Sequence, residues 1–298
     1  MSNDFIVIGI GEILWDFLPD SKILGGAPSN FAYHATELGV VGIPVSAVGC
    51  DAFGDEIFLE LKKRGLNSNY IQRDKNKSTG IVKVEFQYDE PNYFIKENVA
   101  WDNLRITDEL IDLFKKADAI CFGTLGQRSD NNKFVINKLL DEVKSTCIVY
   151  FDLNLRQNFF SEKLIESLLK RSDVFKLNEG ELKYISQLYE LNGSDLEICK
   201  SLINKFDLKL IVLTLGKKGS LLVTSESSSQ ITPLVTRVQD TIGAGDSFSA
   251  AVIVGMLERL DLESINEFAN EVAGYVCSQK GATPSLPLKL KYWTKKIL

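Results

Sequence analysis

Short apolar runs separated by amphipathic stretches set the rhythm of this chain. Phe5 to Ile10 is a run of β-branched and aromatic residues, the pattern of a buried strand, and it closes on Gly9-Ile10-Gly11-Glu12. Leu14 to Leu18 alternates and predicts a second strand, with Asp16 the lone acid between apolar neighbours. A helical pattern follows Asn30, runs through Leu38 and stops at Gly39, as a helix ending on a left-handed glycine does. Val45 to Val48 reads as a strand, and the turn from Gly49 to Asp55 leads into another helix; Asp51 and Asp55 suit helix capping there. Between Thr79 and Tyr88, Val82, Val84 and Phe86 alternate with Lys83, Glu85 and Gln87, one face apolar and the other wet. Tyr93 to Lys96 answers that strand across Asp89-Glu90-Pro91-Asn92, which reads as a hairpin turn.

Further along, strand and helix alternate. Ala119–Phe122, Cys147–Phe151, Val174–Leu177 and Leu210–Thr214 read as strands, and 132–143 and 268–278 as helices. An extended segment from Gln230 to Val238 precedes a turn and a helix over Ser247 to Leu260. This alternation predicts an α/β fold, a doubly wound, mostly parallel sheet with helices on both faces. With no repeat, low-complexity tract or interdomain linker, residues 1–298 read as one domain. The strands at about 13–19 and 79–101 are placed in a small sheet of their own.

Composition narrows the chemistry. At 298 residues, 45% hydrophobic and 25% charged, the chain has ample core material for a large α/β domain. A net charge of −6 without a basic face argues against a nucleic-acid partner. Five cysteines, widely spaced and without a C-x-x-C pair, argue against a disulfide framework or a zinc site. One histidine, His34, leaves little material for a Ser-His-Asp triad, and His34 itself reads as a helix residue. No secretory pattern and no apolar run of membrane-spanning length appear, so the protein is expected in the cytoplasm, without a membrane partner. The Gly9-x-Gly11 turn lacks the third glycine and the helix of a dinucleotide fingerprint, and no P-loop string occurs.

The stretch that carries chemistry is Asp240-Thr241-Ile242-Gly243-Ala244-Gly245-Asp246. Two glycines and an alanine let its backbone approach a ligand closely. The helix that follows offers free N–H groups and the positive end of its dipole, a site for an anion such as phosphate. Asp246 beside that cradle is a carboxylate placed to take a proton, as phosphoryl transfer to a hydroxyl requires. Upstream, Gly25-Gly26-Ala27-Pro28-Ser29-Asn30 combines close backbone approach with a donor and acceptor side chain, and Asp16 can accept from a sugar hydroxyl or merely face solvent.

These two strings resemble the N- and C-terminal signatures of the ribokinase-like (PfkB) family of carbohydrate kinases, and Gly-Gly-Ala-Pro-x-Asn resembles its fructokinase branch. The segment 49–55, Asp152-Leu153-Asn154-Leu155-Arg156, Asn178-Glu179-Gly180-Glu181 and Thr214-Leu215-Gly216-Lys217-Lys218-Gly219 resemble further family motifs in family order. The resemblance covers residues 5 to about 287. It implies a small β-sheet lid over the sugar, which would exclude water. It also implies that Asp246 is the catalytic base and that Gly243, Ala244 and Gly245 form the anion hole. Asp16, Gly25, Gly26, Asn30 and Arg156 would contact the sugar side of the cleft. Trp101, in Asn98-Val99-Ala100-Trp101-Asp102, would line the pocket or anchor the lid. Arg156 would otherwise make a surface ion pair. Asn178, Thr214, Gly216, Gly219 and Asn270 would contact ATP. Glu181 would hold Mg2+ through water, or else favour a helix start. Asp240, Ile242 and Ser285, with the 281–282 loop, would hold a monovalent cation such as K+. The reaction implied is ATP-dependent phosphorylation of a sugar, with fructose first and 2-keto-3-deoxygluconate second. A sugar- or nucleotide-binding regulator without turnover is the reading from another class. A lid-mediated homodimer is allowed by analogy.

Overall fold

The computed structural model describes residues 5–18, 21–87, 90–233 and 238–293. The first half runs β1 (Ile6–Ile10), β2 (Leu14–Leu18), β3 (Ser21–Gly25), α1 (Ala27–Glu37), β4 (Val41–Gly49), α2 (Ala52–Lys63), β5 (Ile71–Asp74), β6 (Gly80–Gln87), β7 (Glu90–Ile95), α3 (Asp108–Lys116), β8 (Ala119–Phe122) and α4 (Asp130–Leu140). The second half adds β9 (Ile148–Asp152), α5 (Glu162–Leu169), β10 (Val174–Asn178), α6 (Glu179–Leu188), α7 (Asp195–Phe206), β11 (Leu210–Thr214), β12 (Ser220–Val223), β13 (Ser228–Ile231), α8 (Ala244–Leu257), α9 (Leu262–Cys277) and α10 (Leu288–Lys291).

Nine strands form one sheet in the order β13-β12-β11-β10-β9-β8-β1-β4-β5. The pairs from β5 to β11 are parallel, and β12 and β13 are added antiparallel at one edge. Side chains alternate between the two faces, so the sheet has two cores. Ile8 and Ile10 join Phe114, Ile136, Leu168, Ile185 and Leu202 on one face. Val7 joins Phe31, Val252, Phe268 and Val272 on the other. Helix α1 lies directly on β1 and β4. A Cβ at Gly9 would come within 2.9 Å of the Pro28 carbonyl carbon, and one at Gly42 the same distance from the Ala32 carbonyl carbon. Glycine at these positions is what lets the helix sit so close.

The second sheet, β3-β2-β6-β7, pairs β2 parallel to β6 and antiparallel to β3. It contains the three strands predicted for a separate sheet, β2, β6 and β7, together with β3, which has no clear period in the sequence. The hairpin differs from its prediction. β7 already begins at Glu90, so most of 89–92 is strand, while Tyr88 and Asp89 lie outside the described residues. At the other end of the chain, β13 stops at Ile231, well before the Asp240 turn. The rest of the predicted extended run includes 234–237, outside the described residues.

Apart from the four-residue α10, helix starts separate into two kinds. α2, α3, α4, α5, α6, α7 and α9 each begin on a side chain that caps a backbone N–H, with Asp51 serving α2 as predicted. α1 and α8 begin instead on Gly26 and Gly243, which have no capping side chain. Asp55, the other predicted cap, pairs with Arg73 at 2.6 Å.

Candidate active site

The parallel strands β1, β8, β9, β10 and β11 release their chains at one edge of the sheet, where α/β folds place ligands. α1 and α8 start over that edge, and both start on glycine for a steric reason. Gly243 has φ +77°, and a Cβ there would sit within 2.7 Å of Ala282 Cα. Gly26 has φ +114°, and a Cβ there would sit 3.0 Å from Ile13 Cα. The uncapped start of α8 turns helix N–H groups toward the cleft. Of the three residues predicted to line an anion hole, Ala244 departs in part, because its N–H turns back to Thr241 O at 3.3 Å.

Asp246 lies in the first turn of α8, half-buried. Asn30 of α1 donates its Nδ2 hydrogen to Asp246 Oδ2 at 2.9 Å, joining the two predicted signatures across 216 residues. Burial and the nearby Asp152 charge push Asp246 up to about 6, while the Asn30 hydrogen bond, Lys176 and Arg156 restrain it. Asp16 is also pushed up to about 6, by burial, with Arg156 pulling the other way. Its carboxylate occupies the space beside Gly25, where a Cβ would lie 3.1 Å from Asp16 Cγ. This accounts for glycine at position 25. Arg156 itself is exposed at the rim, its Nη1 donating to Leu155 O at 3.4 Å.

A small cavity opens between these elements, lined among others by Glu12, Pro28, Phe31, Asp152, Asn154 and Asp246. Two of its charged neighbours were not singled out from sequence. Glu12 is 4% exposed and accepts from Ala27 N with Oε1 at 3.2 Å, so it caps α1 from outside the helix. Lys176 stands in the otherwise apolar strand β10, with Nζ 2.9 Å from both oxygens of Asp152. Burial alone would depress the Lys176 ammonium, but Asp152, Glu181 and Asp246 outweigh it and hold the group above the usual lysine value. Its Nζ lies 3.1 Å from the place a Cβ would take on Gly245, so this cation sits under the α8 turn. The signal available in the sequence was a lysine between Phe175 and Leu177, where a buried strand has no use for an unpaired charge.

The neighbouring strand ends carry the predicted nucleotide residues. Asn178 caps α6, and Thr214 ends β11 with Oγ1 3.5 Å from Leu177 O. Gly216 and Gly219, at φ +58° and +96°, flank a tight turn. Asn270 is half-buried and turned inward: its Nδ2 donates to Ser220 Oγ at 2.7 Å and to Asn266 O at 2.8 Å.

Several expectations meet a different arrangement. Trp101 is fully buried and does not line the cavity; the Arg128 guanidinium stacks on its ring at 4.0 Å. A Cβ at Gly80 would lie 2.6 Å from Trp101 Cδ1, so the indole anchors the start of β6. Glu181 is in a capping box, with Oε2 accepting from Asn178 N and Oε1 from Leu155 N, each at 2.8 Å. Each oxygen retains a lone pair, which suits a hydrated magnesium ion carried by phosphates. Among the described residues no group of three or more His, Cys, Asp or Glu could hold a metal by itself. Of the monovalent-cation set, Asp240 joins the 242 and 281 segments through its carboxylate, while Ser285 is engaged elsewhere. Asp240 accepts from Ile242 N and Gly281 N, each at 3.0 Å, and Ile242 is 48% exposed. Ser285 Oγ is engaged by Glu37 at 2.9 Å. His34 is buried in α1, with Nε2 2.9 Å from Ala282 O, and burial pushes it down to about 4. It fastens the 282 loop beside Gly243.

Comparison with known proteins places this arrangement among relatives. The pfkB family carbohydrate kinase model matches residues 20–289. A putative sugar kinase of Pyrococcus horikoshii is 31% identical over 309 residues, which cover 96% of this chain and 95% of that protein. A probable fructokinase of Arabidopsis thaliana is 29% identical over 314 residues, 96% of each chain. The crystal structure of the Pyrococcus horikoshii sugar kinase in complex with ATP superposes with a TM-score of 0.82 at 29% identity, over 99% of this chain and 100% of that one.

Proposed function

The chain belongs to the PfkB family of carbohydrate kinases, and we propose that it transfers the γ-phosphate of ATP to a hydroxyl of fructose. The observation that carries this reading is the Asn30–Asp246 hydrogen bond at the mouth of the α8 turn. It puts a restrained carboxylate beside an uncapped helix start. In this reading the sugar hydroxyl donates to Asp246, which takes the proton as the new O–P bond forms and the bond to the ADP oxygen breaks. Asn30 keeps the carboxylate oriented. N–H groups of Gly245 and the α8 start meet the transferring phosphate, and Lys176 offsets the acids beneath it. Asn178, Thr214, Gly216 and Gly219 border the nucleotide. Magnesium, when bound, would neutralise phosphate charge, with Glu181 holding it through water. The sheet of β2, β3, β6 and β7 acts as the lid. The five free cysteines fit a reducing compartment such as the cytoplasm.

Fructose is preferred to a sugar acid because the carboxyl groups of Glu12 and Asp246 line one cavity, and Asp16 and Asp246 both lie within reach of the Arg156 charge. A ligand carboxylate would add a like charge there. The exposed guanidinium of Arg156 is the observation that favours a second reading, a 2-keto-3-deoxygluconate kinase. ADP release across a panel of fructose, ribose, fructose 6-phosphate and 2-keto-3-deoxygluconate separates them. Fructose is expected to give the highest kcat/KM. A sugar acid in first place moves the assignment to the second reading, and ADP release with none of them leaves a non-catalytic binding protein.

A further inference from the structure

We propose that His34 is a positioning residue for phosphoryl transfer: by holding the Ala282 carbonyl it keeps the 281–282 loop against Gly243 and so sets the first turn of α8. The proposal rests on the sugar-kinase reading above and gives a task to a buried side chain that the reaction itself does not use.

Position comes first. His34 lies on α1 one helical turn after Asn30 and is 0% exposed. Residues four apart share a helix face. Asn30 reaches the α8 start directly, through Asp246 at 2.9 Å. His34 reaches it through an intermediary. Its Nε2 lies 2.9 Å from Ala282 O. Ala282 is buried, and its backbone presses on Gly243: a Cβ there would come within 2.7 Å of Ala282 Cα and 2.9 Å of its carbonyl carbon. Backbone therefore rests on backbone, and a shift of Ala282 is passed to the residue that opens α8. The Asp240 carboxylate accepts from Ile242 N and Gly281 N, each at 3.0 Å. That clasp joins the turn and the loop to each other, and His34 ties the pair to α1. One helix thus registers both the carboxylate proposed as base and the turn proposed to receive the phosphate.

Chemistry comes next. A carbonyl oxygen only accepts, so the imidazole must donate to it through Nε2–H. Burial keeps the ring neutral at ordinary pH, with a single N–H. That donor goes to Ala282, and Nδ1 has no hydrogen-bond partner among the described residues. A purely structural His34 would satisfy the Ala282 carbonyl, and its loss would lower stability alone. A positioning His34 does more, because a misplacement of about 1 Å at a reacting centre costs about 10²-fold in rate. It touches nothing on the sugar side, so the effect belongs in kcat.

The test compares two variants of the whole protein in steady-state turnover of fructose with ATP. His34→Gln carries an amide nitrogen out to about the place of imidazole Nε2 and keeps the donor. His34→Phe keeps a ring and removes it. The kcat of His34→Phe is expected to fall about 10–100-fold with fructose KM little changed, and His34→Gln should recover most of the loss. Amide hydrogen exchange over 240–246 should quicken in His34→Phe and stay near wild type in His34→Gln. A wild-type kcat in His34→Phe overturns the proposal. So does an equal loss of kcat in both variants, or a change confined to KM. If His34→Phe does not fold, His34→Asn takes its place, its amide one methylene too short to reach Ala282 O. Equal kcat in His34→Asn and His34→Gln then overturns the assignment. A wild type that releases no ADP with any sugar removes the kinase reading instead. The exchange at 240–246 then decides this one by itself, and an unchanged rate in the variant without the donor overturns it.

Discussion

At the scale of single residues, the cleft gathers acids whose pKa values burial raises, beside one buried lysine and one exposed arginine. Asp246 is the residue whose chemistry depends most on this balance. As a general base it must be ionised, so kcat/KM should fall with decreasing pH below about 6, the value to which burial and Asp152 push it. Asp246→Asn keeps the size and can still accept from Asn30 but has no basic lone pair. Its kcat should drop by about 10²–10⁴-fold, with ATP binding retained. Steady-state kinetics against pH, with nucleotide binding measured separately, checks both statements. Near-normal turnover in the variant would remove Asp246 from the base role. The residues legible in the sequence were those whose types are unusual in context: Asp246 after Gly-Ala-Gly, Asn30 after a glycine pair, Asp16 in an apolar strand. Glu12 and Lys176 were not singled out, because their importance arises from partners far away in the chain. Lys176 meets Asp152 across 24 residues and Gly245 across 69.

At the scale of elements, strands of the main sheet were readable because they are buried on both faces and appear as uninterrupted apolar runs. β3, β5 and β12 were not, since each mixes polar residues into a short run and shows no period to recognise. The small sheet was largely legible, through the alternation of β2 and β6 and the answering strand β7, and its tie to the main body was one of the two roles open to Trp101. In the structure Trp101 has that role. It is fully enclosed with Leu14, Val82, Ile95, Val99 and Leu125, lies against Gly80 and carries the Arg128 guanidinium, which is itself paired with Asp102 at 2.8 Å. Removing an indole from such a place costs about 3–5 kcal/mol. Trp101→Ala should therefore lower unfolding stability by that amount, read by chemical denaturation. Because the loosened element would be the proposed lid, sugar KM should rise more than ATP KM. An equal rise in both would mean that Trp101 supports the whole cleft and that the small sheet does not act as a separate lid.

At the scale of the whole molecule, the cleft is where stability has been given up. Elsewhere, acids are used to stabilise. Asp51 caps α2 and holds Thr79, and Glu37 clasps the C-terminal segment through Leu286 N and Lys291. Hydrogen bonds hold Asp51 and Glu37 below their ordinary values against the opposing effect of burial. Glu12, Asp16 and Asp246 are shifted the other way, with burial the largest cause in each. A carboxyl whose folded pKa is raised favours the folded state fully below its unfolded pKa, near 4. That contribution is lost as pH rises through the folded value. For Asp246 the loss runs from about pH 4 to about pH 6 and is complete above it. Asp246→Asn abolishes this titration, so the inactive variant should be more stable than the wild type at pH 8. The gain is expected to be on the order of 1 kcal/mol, about one to two degrees in Tm for a chain of this size. It should shrink as pH is lowered toward 4, where the wild-type carboxyl is neutral in both states. Thermal unfolding of the two proteins without ligands, at pH 8, 6 and 4.5, measures the trend. A variant less stable than wild type at pH 8 would mean that the Asn30 and Lys176 interactions with the carboxylate outweigh its burial, and that Asp246 serves the fold as well as the reaction.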